Sequence, residues 1–419
     1  MKLAMTLEKK IMAVVFTLAL LVRLSYVLMG HLNQPLTGDA VEYNLVAVNF
    51  LHGQGFQSNN NWSFQPPLYS LCLAGVYAVT GEAPNVIRIL QAILSSLSCV
   101  LIFILAWRMA GVRVASWAGG LACIYPGLVT YSGELLSETL FVFLLLLAVI
   151  FLQASRRSGR ASDQLWAGLS LGLATLTRGV SLLVLPLVFA WWLIEDHDLK
   201  KSLRSIALIV LVFIITLVPW TARNYTRYHH FIPVDSHGGK VLVDANNPLA
   251  QGQWTPEWIK EQHPEIARLD EVAANKAYNK LALDYLAQDG PVRLLKLATL
   301  KILYFLYPFL PQYDILFMFL LPFWLVGMFL AFKQHHYLLL VLIFNFLLIT
   351  LVFFGSPRIR DTVAPFIIIL SSLSLAPALE KPGAGKLKAG IVSLWLGVNL
   401  VIWFYAEPVR LFIKSWKGS

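Results

Sequence analysis

In this chain of 419 residues, 58% are apolar and only 13% charged, and the mean hydropathy is +0.66, a balance that excludes a soluble domain of this size. The net charge of +10 does not point to nucleic acid, because Lys and Arg are spread over short loops between apolar spans and form no single basic tract. Apolar runs of about twenty residues predict helices that cross a bilayer, and the alternating strands of a membrane barrel are missing.

Lys2, Lys9 and Lys10 precede the apolar run from Ile11 to Gly30, which is too long for a signal peptide core and lacks a small-x-small cleavage site. It reads as an uncleaved first helix with its lysines in the cytoplasm. An outer loop follows, with Thr37-Gly38-Asp39-Ala40-Val41-Glu42-Tyr43, His52-Gly53-Gln54-Gly55-Phe56 and Gln65-Pro66-Pro67-Leu68-Tyr69. Asp39 is placed to cap a short helix from Ala40 to Leu51. Pro66 to Thr80 is apolar but too short to span comfortably, and it is expected to lie along the interface.

Helices are expected from Val86 to Ala110 and from Val114 to Thr130, with Arg108 and Arg113 at the cytoplasmic turn, then from Ser137 to Ala154, leading to Arg156, Arg157 and Arg160. The stretch from Gln164 to Ile194 has basic flanks on both sides and is broken at Thr177-Arg178-Gly179, so it predicts a hairpin with Arg178 at its outer tip. Ser205 to Trp220 exits again. Thr221 to Gly290 is the long polar segment: loops first, including His237-Gly238-Gly239-Lys240, then a helix from Thr255-Pro256-Glu257, an interruption at Pro264 and a longer helix to Gln288. Pro291 to Pro311 carries Arg293, Lys296 and Lys301 on an apolar background and is expected to be interfacial. Four further spans, Tyr313 to Phe332, Tyr337 to Phe354, Thr362 to Leu379 and Ala389 to Ala406, bring the expected count to eleven. They put Lys381, Lys386 and Lys388 inside and Arg410, Lys414 and Lys417 outside.

The fold class is therefore an all-α polytopic membrane protein, with an N-terminal module over 1–220 whose outer loop is 31–85, a small cap over 221–291 and C-terminal helices over 292–419. Cys72, Cys99 and Cys123 have no metal-like spacing and read as small buried hydrophobes.

This topology brings Asp39, Glu42, Glu134, Glu138, Arg178, Arg358 and Arg360 to one outer rim, with Arg23 and Arg88 in the outer halves of their spans. Charges at membrane depth are costly and usually mark function. Some have structural alternatives. Asp39 and Glu42 have the spacing of a capping box, and Glu134 and Glu138, four residues apart, can share one face of a first helical turn. His237 and its glycines read as an ordinary turn. Arg358 and Arg360 stand in an outer loop against the positive-inside tendency, which implies an anionic partner, and guanidinium groups match phosphate oxygens.

The order of these features resembles the GT-C class of membrane glycosyltransferases, in particular the family 39-like branch of protein O-mannosyltransferases and the lipid A aminoarabinose transferase. The resemblance rests on the Thr37 to Tyr43 and Gln65 to Tyr69 stretches, Ser137-Glu138, Leu176-Thr177-Arg178-Gly179, Pro219-Trp220-Thr221-Ala222-Arg223-Asn224-Tyr225, and Arg358-Ile359-Arg360. It implies a GT-C bundle with juxtamembrane helices, Asp39 as catalytic carboxylate, and Arg358 and Arg360 on the donor phosphate. Ile359 stands where that family usually has tyrosine, Asp361-Thr362 follow where a hydrophobic residue and proline are usual, and the cap is small for a protein acceptor.

The expected reaction moves a sugar from a polyprenyl phosphate to a hydroxyl of an envelope glycan, lipid or protein, inverting the anomeric carbon, with Asp39 as general base and Glu42 beside it. Arg178, Arg358 and Arg360 would hold the donor phosphate; Glu134 and Glu138 would orient the acceptor or hold a divalent metal ion. The expected setting is a bacterial inner membrane with the site facing outward among membrane lipids. A transporter or flippase of an anionic lipid or sugar is the alternative, with a non-catalytic envelope-assembly subunit as a third reading. Transporters tend to place charges near the midplane and to show inverted repeats, which are not found here.

Overall fold

Helix α1 (Lys2–Tyr26) runs into a π turn, Val27–His31, and is fixed by a single buried cation. Arg23 is fully buried and donates to Ser95 Oγ at 2.7 Å, to Cys99 Sγ at 3.2 Å and to the carbonyls of Ala19, Ala122 and Cys123. The structure, a computed structural model, describes residues 2–59, 61–195, 199–309, 312–380 and 385–416; Lys381 and Lys417 lie outside them.

Next come α2 (Asp39–Leu51) and α3 (Pro67–Thr80), which pack Ala40, Tyr43 and Ala47 against Tyr69, Leu73 and Tyr77. Pro66 and Pro67 set the start of α3, where proline's missing N–H and fixed φ cost nothing. Cys72 is exposed on α3, contrary to the expectation that all three cysteines are buried.

The continuous element α4 (Pro84–Ile124) folds back on itself at Gly111, whose φ of 83° and ψ of 177° only glycine adopts readily. Its two arms are antiparallel, as Cys99 Sγ to Ala122 O (3.4 Å) and Ser95 Oγ to Leu128 O (2.9 Å) demonstrate, so the two expected helices are present. The second arm stops at Tyr125-Pro126, and α5 (Pro126–Gly133) is a separate short helix. Arg88 ties this hairpin to its surroundings through Gly133 O, Asn85 Oδ1 and Gln34 O. Arg23 and Arg88 are thus fastenings between helices and are not part of the rim cluster.

The helix α6 (Glu138–Ser158) leads away from the rim, and α7 (Ala161–Thr177), a 3-10 turn at Gly179–Leu183 and α8 (Val184–Glu195) form the expected hairpin with Arg178 at its tip. The long α9 (Leu199–Tyr228) returns to the rim. In the cap, the segment read as a turn at His237 opens α10 (Gly238–Ala245), followed by α11 (Pro256–Gln262), which starts at the expected Pro256, and α12 (Glu271–Gln288), which Asp270 caps by accepting from the Val272 and Ala273 N–H groups. Val243, Ile259, Ile266, Tyr278 and Ala282 give the cap its own small core. Glu271 joins it to the first loop by accepting from the Trp62 N–H at 2.7 Å, from the Ser63 N–H at 3.0 Å and from the hydroxyls of Tyr228 and Ser236.

The C-terminal part comprises α13 (Pro291–Phe305), α14 (Ile315–Lys333), α15 (Tyr337–Val352), α16 (Pro357–Thr362), α17 (Ala364–Glu380), α18 (Gly385–Phe404) and α19 (Ala406–Trp416). Tyr313 donates to Asn399 Oδ1 at 2.6 Å, which sets the far part of α18 beside the start of α14.

The chain is an all-helical integral membrane protein. Five helices among the described residues are long and apolar enough to cross a bilayer, or six if α18 and α19, bent by 79°, count as one. The expected eleven is not reached on this measure because the two arms of α4 count there as one helix and α8, α15 and α17 are shorter than a full span. Helix α13 is not among the helices that meet this measure.

Helices α14 and α17 meet at Gly327, where a methyl group would lie 1.9 Å from the Leu370 carbonyl oxygen. Gly327→Ala is expected to force these backbones apart and cost about 1–3 kcal/mol, read as a lower thermal midpoint in detergent.

Candidate active site

The loop 353–357 is the place to begin, because its geometry decides where Arg358 goes. Ser356 caps α16 by accepting the Arg358 N–H at 3.2 Å, and Pro357 occupies the first helical position. Gly355 lies against the Lys301 carbonyl, closer than any Cβ would allow, and its N–H donates to Gly252 O at 2.9 Å. Lys301, buried within α13, donates to Asn246 Oδ1 (2.7 Å), Leu351 O (2.9 Å) and Val352 O (3.3 Å), joining the cap to the end of α15. Burial pushes its ammonium down to about 8. A lysine that looked interfacial in the sequence is thus an internal clamp.

From this anchored start Arg358 reaches two carboxylates. Its Nε–H donates to Glu138 Oε1, and its Nη1–H donates to Asp39 Oδ2 at 2.5 Å. Arg178, at the hairpin tip, donates from Nη1 to the same Glu138 oxygen at 2.7 Å and to Ser137 Oγ at 3.2 Å. The result is a row of alternating sign, Asp39, Arg358, Glu138, Arg178, drawn from four distant parts of the chain. Burial peaks at Glu138, 1% exposed, while the Arg178, Arg358 and Asp39 side chains are 19%, 35% and 44% exposed. The Oε2 of Glu138 has no hydrogen-bond partner among the described residues. Tyr43 supports this end by donating to Ser137 Oγ at 3.1 Å.

Asp39 does not act as a helix cap. It is the first residue of α2, behind Gly38, and no side-chain cap bond forms there. The capping-box alternative is therefore set aside for this carboxylate. Glu42 turns instead to the first loop and accepts from Ser58 Oγ at 3.1 Å, outside the row.

Two expectations need correction. Glu134 is not on the first turn of α6: it is extended, with φ −95° and ψ 141°, and faces His31 Nε2 at 3.7 Å. The helix begins only at Glu138, so spacing by four does not apply. Arg360 points away from Arg358 into the protein, is 2% exposed, and donates from Nη2 to Asp314 Oδ2 (2.7 Å), from Nε to Asp361 Oδ1 (3.1 Å) and from Nη1 to Tyr307 O (3.2 Å). Its guanidinium also lies 3.9 Å over Phe317. At that burial the guanidinium is not open to a donor phosphate.

Sequence reasoning missed His237 and Asp235. The His237 ring lies 3.9 Å from that of Phe64, its backbone N–H donates to Asp235 Oδ1 at 3.2 Å, and Asp39 acts on it electrostatically. Burial pushes the imidazole down to about 4 and the Asp235 carboxyl up to about 6. Only the folded cap makes them neighbours of the rim, so no local motif could have signalled them. Among the described residues no three His, Cys, Asp or Glu side chains group as metal ligands, and the two rim carboxylates converge on an arginine, a donor set that does not suit a resident divalent ion.

Residues 64–221 match the family described as dolichyl-phosphate-mannose-protein mannosyltransferase. No curated protein matches the chain. The apo oligosaccharyltransferase of Archaeoglobus fulgidus superposes with a TM-score of 0.60 at 15% identity, over 93% of this chain and 54% of that one. AglB of the same organism, in complex with an inhibitory peptide and a dolichol-phosphate, gives 0.57 at 13% identity, over 91% and 54%. ArnT from Cupriavidus metallidurans bound to undecaprenyl phosphate matches at 15% identity over 88% of this chain and 78% of that one, with a TM-score of 0.43. The resemblance to GT-C membrane glycosyltransferases read from the sequence is met in the family match and in the fold. The chain spans about half the length of the archaeal enzymes it superposes on.

Replacing the carboxylate that two arginines share leaves both cations without their partner. Glu138→Gln is expected to lose about 3–5 kcal/mol of stability, whereas Glu134→Gln, outside the row, should move it by less than about 0.5 kcal/mol; thermal unfolding in detergent measures both. Asp235 provides a pH signature. Its carboxyl titrates near 6 when folded and near 3.8 when unfolded, so the folded state binds the extra proton in that window and stability falls as pH rises through it. The slope of thermal midpoint against pH should flatten there in Asp235→Asn.

Proposed function

We propose that this chain is a glycosyltransferase that moves a sugar from a polyprenyl phosphate to an acceptor hydroxyl at the rim where Asp39 and Arg358 meet. The observation that carries this reading is the alternating row itself, combined with what its guanidinium groups leave over. Arg358 engages Nε and Nη1, and Arg178 engages Nη1, so each keeps N–H donors with no protein partner among the described residues. Such donors beside a solvent-accessible carboxylate suit a phosphate leaving group next to a base.

In the reaction the acceptor oxygen attacks the anomeric carbon from the face opposite the phosphate, and Asp39 takes the hydroxyl proton. The bond from the anomeric carbon to the phosphate oxygen breaks, its electron pair goes to the leaving polyprenyl phosphate, and the configuration inverts. Charge grows on that phosphate as the bond lengthens, and Arg358 and Arg178 favour the transition state over the ground state. Glu138 fixes both guanidiniums and is a positioning residue in this scheme. Arg360 has the same kind of role at one remove, holding α16 through Asp314 and Asp361. Glu42 and Glu134 serve the first loop and the π turn.

The rim, the first outer loop and the cap over 221–291 would face away from the cytoplasm of a bacterial inner membrane, with the basic loops at Arg108, Arg113, Arg156 and Arg157 opposite. The donor's tail would run in lipid and its head would enter between α2, α6 and α16, with an envelope glycan, lipid or protein as acceptor. Convergence of charge on one rim favours this over transport along a path through the bilayer.

The test uses membranes containing the full chain and a radiolabelled polyprenyl-phosphate sugar. Asp39→Asn is expected to lower transfer by about 10²–10⁴ while donor is still retained, and Arg358→Ala to lose donor retention itself. Normal turnover in Asp39→Asn would sink the assignment of the base.

A further inference from the structure

At the other end of α6 the structure contains a second polar site that the transfer reaction does not use. From Glu138 to Arg156 is 18 residues, about 27 Å at 1.5 Å per residue. There a cavity of about 360 Å³ opens between the ends of α6 and α8, the start of α9 and the turn joining α14 to α15. Arg156, Arg157, His335 and His336 line it together with Ser155 and Trp191.

The lining has the chemistry of an anion site. Arg156 is committed: it pairs with Glu195 and lies 5.0 Å over the Trp191 ring. Arg157 makes one long bond of 3.4 Å to the Arg108 carbonyl, and no carboxylate among the described residues pairs with it, with His335 or with His336. Inside the cavity two donors lack any acceptor, since Ser155 Oγ (1% exposed) and Trp191 Nε1 (7% exposed) are both buried without a hydrogen-bond partner; the carbonyl Oε1 of Gln153, also in the lining, is an acceptor without one. Buried polar groups are seldom left unpaired, because each costs about 1–3 kcal/mol. A neutral or cationic ligand would leave the Arg157 cation uncompensated, whereas a phosphate brings several acceptor oxygens and the opposite charge. Glu195 does not oppose this, because its carboxylate is matched by Arg156.

We infer that this cavity binds a phosphate group at the membrane face opposite the transfer site, with Arg157, Ser155 and Trp191 as its recognising side chains. The phosphate belongs to an anionic lipid headgroup of the adjacent leaflet or to a soluble phosphate compound, and the site is independent of the transfer reaction.

Purified full chain in detergent micelles is titrated with short-chain phosphatidic acid, with phosphatidylcholine of the same chain length and with sodium phosphate, following tryptophan fluorescence and native mass spectra. Phosphatidic acid or sodium phosphate is expected to saturate, and Arg157→Gln to weaken that binding by about ten- to a hundredfold. Saturation by phosphatidic acid alone identifies a headgroup, and saturation by sodium phosphate identifies a soluble ligand. Trp191→Phe keeps an aromatic side chain and removes the N–H, so it should weaken the same ligand in a protein that still elutes as a single species. The proposal is overturned if neither anion saturates, if phosphatidylcholine binds as tightly as phosphatidic acid without a phosphate response, or if both variants bind as the parent does.

Discussion

Glu138 is the constraint around which the rim is built. A carboxylate with 1% exposure at the head of an apolar helix is tolerable only if cations reach it, and two do, from Arg178 and Arg358. Much of the surrounding architecture reads as means to that end. The broken hairpin of α7 and α8 delivers one guanidinium, and the Ser356-Pro357 start of α16, clamped through Lys301, delivers the other. Asp39 joins from the exposed side and gives the row a face that solvent and substrate can reach.

Charges inside a membrane protein are commonly taken as functional markers, and this molecule separates two kinds. Arg23, Arg88 and Arg360 are buried, at most 2% exposed, and each is held at all three guanidinium nitrogens by acceptors of the chain, fastening helices together. Arg178 and Arg358 retain donors beyond their protein contacts. The distinction rests on which guanidinium nitrogens stay open and unpartnered, and not on rarity, since the fastening arginines are the more deeply buried.

Much of the chain was legible where a local signal suffices. Proline and glycine marked the start of α3, the start of α11, the end of α12 and the hairpin tip, because those positions are dictated by backbone sterics. Alternating basic and polar flanks gave the hairpin its direction, and so placed Arg178 near Glu138. Illegible were the features that depend on where a helix begins or which way a side chain turns. Glu134 and Glu138 separate because α6 starts only at Glu138, four residues after Glu134. Arg358 and Arg360, two apart on a short helix, necessarily point to different sides. Lys301 looked amphipathic because its acceptors, Asn246 and the carbonyls of α15, are some fifty residues away in sequence. The expected eleven spans met a similar limit, since a short apolar helix can be half a crossing or a packed internal element.

The spacing of the row along the chain also has a bearing on biogenesis. Arg178 emerges from the ribosome 40 residues after Glu138, but Arg358 follows 220 residues after it. The nascent protein therefore has an early, partial neutralisation of its buried acid and must keep that helix head stable through the insertion of every later segment. A chain released before α16 would leave Asp39 with no counter-ion from Arg358, so full-length translation itself becomes the checkpoint for a competent rim.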